Sequence, residues 1–228
     1  NGVGVAAALA VMESTDIAHG PLEFRFTIDE ESGLTGASQF PERLLQSKYF
    51  LNLDGEEEGA LCIGCAGGLN TVARRQVEMR PAAARQALRV KISGLQGGHS
   101  GLDINKGRGN ALRILGQTLL ALKDRLALDI AEIQGGSKRN AIPREASATV
   151  TLDAADVPLL NEILQQVQAD IRSDLGAFDP GLTITAESVA CPAEVIADAD
   201  AQVLAGLLAS QHHGVFAMSP DVPGLVQT

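Results

Sequence analysis

The chain has 228 residues, 45% of them hydrophobic but only 3% aromatic, with one Tyr and no Trp, so one large or two small cores must be built from Leu, Ile, Val and Ala, which suits α/β or α+β layering. A net charge of −10, from 18 basic and 28 acidic residues without a basic run, excludes the usual electrostatic footprint of a nucleic-acid binder. No apolar stretch reaches membrane-spanning length, no segment reads as a secretory leader, and three cysteines are too few for a disulfide scaffold.

Val3 to Glu13 is Ala-rich and apolar on nearly all faces, which predicts a buried helix, broken by His19-Gly20-Pro21. Leu22 to Ile28 alternates and predicts a strand, followed at once by Asp29-Glu30-Glu31. Gly33 to Phe40 starts a short helix, and Tyr49 to Leu53 predicts a second strand ending in Asp54. This β–α–β rhythm puts acids where strands end, which is where open α/β sheets place their ligands. The character changes near Gly64 to Gly68. Residues 1–66 are read as an α/β portion and 67–228 as an α+β domain with an antiparallel sheet and helices on one face. The second part predicts strands over Leu69–Met79 and Ala87–Ile92, then a loop from Ser93 to Gly109 carrying six glycines. A helix over Asn110–Leu126 follows, then strands over Leu128–Gln134 and Ala146–Leu152, a helix over Val157–Leu175, a strand over Leu182–Ser188 and a helix over Ala199–Gln211. The start at Asn1 and the apolar run Asp221 to Thr228, which reads as a strand cut in mid-course, are those of a chain truncated at both ends.

Three constellations bear chemistry. Asp29-Glu30-Glu31 with Asp54 offers hard oxygen ligands for a divalent cation, and one of two adjacent Glu residues can ligate while the other acts as general base. The competing reading is a solvated acidic turn. In Gly97-Gly98-His99-Ser100-Gly101 the glycines allow close backbone approach and expose a histidine able to hydrogen-bond a ligand, or else form a flexible surface turn. Asn140-Ala141-Ile142-Pro143-Arg144-Glu145, preceded by Lys138 and Arg139, connects two strands. Asn140 carries donor and acceptor, and Arg144 or Arg139 could grip a carboxylate, against the plainer reading of a hairpin connection with solvated arginines. Cys62 and Cys65 form a lone CxxC, read as buried small residues at a domain junction. His212-His213 reads as a helix C-terminus favoured by the macrodipole, and Glu56 to Glu58 as a solvated loop.

Together, Thr27-Ile28-Asp29-Glu30-Glu31, Leu53-Asp54, Gly64-Cys65-Ala66-Gly67-Gly68, Gly97 to Gly101 and Arg139 to Glu145 resemble, in this order, the bacterial aminoacyl-histidine dipeptidases (Xaa-His dipeptidase, peptidase D), in the clan of zinc peptidases that includes carnosinase. The resemblance covers essentially the whole chain. It implies a cytoplasmic hydrolase that uses two zinc ions, with Mn or Co as possible substitutes, to cleave Xaa-His dipeptides with a metal-activated water. Glu30 would be the general base, Glu31 would ligate one metal and Asp54 the other. His99 would come from the smaller lid domain and polarise the scissile carbonyl. Asn140 would bind substrate, with Arg144 nearby. The lid would mediate a homodimer. The resemblance also implies ligands beyond this chain: a bridging Asp immediately before Asn1, an upstream His with its companion Asp, and a downstream His. Two of five expected protein ligands are present, so the 228 residues alone are expected to be inactive. A related amidohydrolase, carboxypeptidase or deacetylase of the same clan and a non-catalytic dimerising fragment are the rival readings.

Overall fold

In the computed structural model, which describes residues 2–31, 33–55, 59–62, 64–83 and 85–228, the alternating apolar segments of the second half close into one antiparallel sheet. The chain divides into two units, residues 1–72 and 73–228.

In the first unit, α1 (Gly2–Glu13) is helical as its Ala-rich sequence dictates, and α2 (Thr35–Ser38) is a single turn. The expected burial of α1 is not realised. Gly4 alone is buried among its described residues, and Val3, Val5, Leu9 and Met12 are exposed. Nor do 22–28 and 49–53 form the expected strands; they run without a ladder, with Phe26, Ile28, Phe50 and Leu51 exposed. Propensity suffices for a local helix, but a strand exists only through hydrogen bonds to a neighbour, which alternation cannot supply.

The second unit opens with β1 (Met79–Pro81), which shares only Met79 with the expected 69–79 strand, and continues through β2 (Gln86–Ser93), β3 (Gly98–His99), α3 (Ala111–Arg125), β4 (Asp129–Gly135), β5 (Ala141–Ile142), β6 (Ala146–Leu152), α4 (Val157–Leu175), β7 (Thr183–Ser188), β8 (Glu194–Ile196) and α5 (Asp198–Ser210). The main sheet has the order β4-β6-β2-β7, every pair antiparallel. Its register puts apolar side chains opposite one another: Leu88 faces Val150, Val90 faces Ala148 and Ala186, and Ile92 faces Ala146 and Ile184. The other face is polar, and there Arg89 pairs across the ladder with Glu187 at 3.8 Å. In β4 the register slips between Ile130 and Glu132, a bulge that takes up Ala131.

Helices α3 and α4 cover the apolar face. Asn110 caps α3, its side-chain oxygen accepting from the backbone N–H groups of Leu112 (3.0 Å) and Arg113 (3.4 Å). Ile114, Leu115, Leu119 and Leu122 then repeat at helical spacing and are buried with Leu160, Ile163 and Leu164 of α4. Each such side chain contributes about 1.5–3 kcal/mol by leaving water. Helix α5 packs on α3, and the crossing is tight: a Cβ on Gly116 would lie 2.5 Å from the Ala209 nitrogen and 2.9 Å from the Ala205 oxygen. The end of the chain is a turn rather than a strand. Met218 and Val226 form one antiparallel bridge around Pro223 and Gly224, whose φ of 81° suits glycine.

Two interactions fix the sheet end that carries the glycine-rich loop. Asp179 is wholly buried; its Oδ1 accepts from the Gln96 N–H at 2.7 Å, and its other oxygen accepts from the Gly109 N–H. Gly94 and Gly181 cross back to back: a Cβ on Gly94, at φ 79°, would sit 1.9 Å from the Gly181 oxygen.

Two glycines of the α3–α5 pair give opposite expectations. Gly116→Ala should lower the unfolding free energy by about 1–3 kcal/mol through overpacking against backbone. Gly206→Ala, where a Cβ meets nothing within 4 Å, should raise it by about 0.5–1 kcal/mol through helix propensity. Urea midpoints at unchanged slope are the measurement.

Acid should loosen the α5 N-terminus. Asp200 is held below the usual aspartate range by the Glu78 N–H donating to it at 2.8 Å and by Arg75. Lys123 does the same for Asp198. A lowered folded value contributes stability above the ordinary aspartate pKa of about 3.9, which is lost as pH falls through the lowered value. Asp200→Asn should therefore flatten the fall in stability below about pH 4, as followed by circular dichroism.

Candidate functional site

The acids of the first unit sit on a closed turn. Asp29 and Leu34 both take left-handed backbone (φ 55° and 59°), and the Leu34 N–H donates to the Asp29 carbonyl at 2.9 Å. Aspartate tolerates that conformation better than most residues. The Thr35 hydroxyl donates to Asp29 Oδ2 (3.1 Å), and the Gly36 N–H donates to the Ile28 carbonyl (3.2 Å); a Cβ on Gly36 would lie 2.7 Å from the Ile28 nitrogen. This closure holds Glu30 and Glu31 at the tip of the turn with both side chains in solvent. Asp54 is exposed too, its N–H donating to Asn52 Oδ1 at 2.9 Å.

Glu31 and Asp54 are hard oxygen donors, the right kind for a divalent cation. Among the described residues, however, no three His, Cys, Asp or Glu side chains converge as a metal-holding group. A structural or catalytic zinc takes at least three protein donors. Among the described residues the donors therefore fit a metal in type but not in number. Glu56 to Glu58 lie outside the described residues.

In the second unit the two loop motifs meet. β3 pairs antiparallel with β5, His99 opposite Ala141 and Gly98 opposite Ile142, and the Ser100 N–H donates to the Asn140 carbonyl at 2.9 Å. This two-residue ladder places His99 beside the loop that carries Asn140 and Arg144. Both glycines before the histidine are required. Gly97 (φ 66°) leaves 3.1 Å between a would-be Cβ and Arg144 Cβ, and Gly98 (φ 146°) leaves 2.5 Å to Asp103 Oδ2.

The imidazole of His99 is exposed, and its Nδ1 accepts from two backbone donors, the N–H groups of Gly101 (3.0 Å) and Leu102 (3.1 Å). A backbone N–H can only donate, so Nδ1 carries the lone pair and the proton of the neutral ring is on Nε2. The site thus presents a hydrogen-bond donor. Asp103 closes the loop from both sides: its N–H donates to the His99 carbonyl (3.0 Å) and its Oδ2 accepts from the His99 N–H (2.7 Å). Lys106 reaches Asp103 Oδ1 at 2.6 Å, and these bonds hold the Asp103 carboxyl below its usual range.

Next to the ladder lies a groove of about 490 Å³, lined by Ser100, Asn110, Leu112, Lys138, Arg139 and His213 among others. Asn140 and Arg144 are exposed. His213 lies beyond the end of α5 and serves another element than the macrodipole expectation gave it. Its Nε2 is 2.9 Å from the Arg108 carbonyl and its Nδ1 3.4 Å from the Asn110 amide. Arg108 in turn donates to the Gly97 carbonyl at 2.6 Å. The sequence pattern did not single out Asp103, Arg108 or Asn110 for the site, and it gave His213 a helix-end role only. Only Asn110 carried a local signal, as a capping residue before an apolar-periodic run. Cys62, Cys65 and Cys191 are all exposed and unpaired by disulfide, contrary to the buried junction expected of the first two, and Leu69 nearby is exposed as well.

Residues 90–180 match the family described as Peptidase dimerisation domain. Over its whole length the chain is 34% identical to the cytosol non-specific dipeptidase of Escherichia coli (strain K12), of which it covers 47%. The crystal structure of aminoacylhistidine dipeptidase from Vibrio alginolyticus superposes with a TM-score of 0.81 at 39% identity, covering 99% of this chain and 46% of that one. The chain thus spans about half the length of the relatives it matches. Its antiparallel sheet with helices on one face is the architecture of the dimerisation domain. Over its whole length the chain is therefore similar to about half of an aminoacylhistidine dipeptidase and of a cytosol dipeptidase, with a peptidase dimerisation domain matched over residues 90–180.

Proposed function

We propose that this chain serves in metal-dependent hydrolysis of dipeptides with a C-terminal histidine. The observation that carries the reading is the β3–β5 ladder, which holds an Nε2–H histidine donor beside the Asn140 loop. In the proposed assignment, His99 donates to the scissile carbonyl oxygen as negative charge develops there. Asn140 and Arg144 hold the substrate's polar ends. Glu30 takes a proton at its carboxylate and returns it to the leaving amine. Glu31 and Asp54 would contribute two of the carboxylates that hold zinc, with Mn or Co as substitutes, and the metal would supply Lewis-acid polarisation and a more acidic water. The second unit is proposed as the lid and as the surface of a homodimer, supported by the match of residues 90–180 to a dimerisation domain. A cytoplasmic location is proposed from the printed name of the Escherichia coli relative, a cytosol dipeptidase.

The same reading makes the 228-residue chain alone a weak metal binder without turnover, since no three metal donors converge among the described residues. Zinc titration by calorimetry should show no stoichiometric binding of two ions. Tight uptake of two would refute the assignment of an incomplete donor set.

In a dipeptidase of the relatives' length carrying this sequence, Glu30→Ala should lower kcat by about 10²–10⁴-fold, the usual contribution of a general base, without loss of metal. His99→Gln should lower kcat by about 10²-fold or more, as for one lost oxyanion donor, with KM little changed. Steady-state kinetics on Xaa-His peptides, with metal content measured alongside, decides this. Wild-type turnover in either variant sinks that residue's role. Equal rates on peptides ending in other residues would favour a broader amidohydrolase.

A further inference from the structure

The backbone and carboxylate of Asp103 grip His99 on both sides, and the geometry points to a role that the reaction assignment leaves open. We infer that Asp103 is a positioning residue: by closing the 99–103 turn it holds the Gly101 and Leu102 N–H groups on His99 Nδ1 and so commits the ring proton to Nε2. The inference rests on the reading of His99 as a donor to substrate, but its physical content is the tautomer of the ring.

Four observations support it. The turn is locked by a reciprocal pair, Asp103 N–H to the His99 carbonyl at 3.0 Å and His99 N–H to Asp103 Oδ2 at 2.7 Å, so residues 100–102 have no slack. Gly101 and Leu102 sit inside that closed turn, and their N–H groups point at one atom, Nδ1, at 3.0 and 3.1 Å. The carboxylate is itself held from outside: Lys106 reaches Oδ1 at 2.6 Å, and Arg108 approaches Oδ2 at 3.3 Å while donating to the Gly97 carbonyl. Asp103 stands at the N-cap position of the short helix Ile104–Lys106, yet its side chain makes no cap bond there and turns back to His99 instead. A free imidazole divides its proton between the two nitrogens; two donors fixed on one nitrogen remove that freedom.

The test is nitrogen-15 spectroscopy of the imidazole in the 228-residue chain at about pH 8.5, two units above the ordinary histidine value of about 6.5. The chain has four histidines, and His99→Gln identifies the signal by its loss. The expected wild-type pattern is a single Nε2–H form with Nδ1 a hydrogen-bonded acceptor. In Asp103→Ala the pattern should move toward a mixture of both tautomers, and amide exchange at Gly101 and Leu102 should quicken about tenfold, the scale of one lost hydrogen bond. Asp103→Asn keeps an oxygen for the His99 N–H but no charge for Lys106 and Arg108, and should shift both readouts in the same direction by a smaller amount. A folded Ala or Asn variant with the wild-type tautomer and wild-type exchange overturns the inference. In the longer dipeptidase, a tautomer shift with unchanged turnover would leave the Asp103 clasp standing and remove His99 from the hydrolysis instead.

Discussion

The buried side chain of Asp179 is the constraint on which the working end of the second unit depends. Its two oxygens take the N–H groups of Gln96 and Gly109, which bracket the glycine-rich loop, from a position in the α4–β7 connection. The Asp179 carboxyl is fully removed from water, and leaving it without these donors would cost about 1–3 kcal/mol. One side chain therefore sets both ends of the 96–109 segment against the sheet. The Gly94–Gly181 crossing permits this closeness, since a side chain on either residue would collide with the other's carbonyl.

Within that frame the histidine loop is assembled by short-range rules. Glycines at 97 and 98 adopt backbone that other residues avoid and leave space that Arg144 and Asp103 occupy. The reciprocal His99–Asp103 bonds close the next turn, and the β3–β5 ladder joins it to the 136–144 connection. Asn110 caps α3 while meeting His213, so the start of the principal core helix is bonded to the same neighbourhood. Core and site share residues here, and the packing of α3 on the sheet fixes the loop that carries the chemistry.

The second unit was largely legible because its signals are local and strong. Leu88, Val90 and Ile92 alternate, Ile114 to Leu122 repeat at helical spacing, and the structure bounds these elements within a residue or two of expectation. The first unit was less legible. Phe26, Ile28 and Phe50 alternate like strand residues, but pairing is a property of partners and not of the segment. The Gly-Gly-His-Ser-Gly and Asn-Ala-Ile-Pro-Arg-Glu motifs were visible, whereas their meeting across a two-residue ladder was not, because forty residues separate them. Asp103 and Asp179 escaped notice since an acid in a polar loop looks solvated until its N–H donors are seen.

The ladder between Gly98–His99 and Ala141–Ile142 is only two residues long, yet it makes the lengths of two loops interdependent. Side chains alternate along a strand, so inserting or deleting one residue on either side would rotate the imidazole to the opposite face while leaving the main sheet intact. The two segments must therefore be inherited, shortened or engineered as a matched pair. Variation in chain length is better accommodated in a connection such as residues 153–156, between β6 and α4, which takes no part in that ladder.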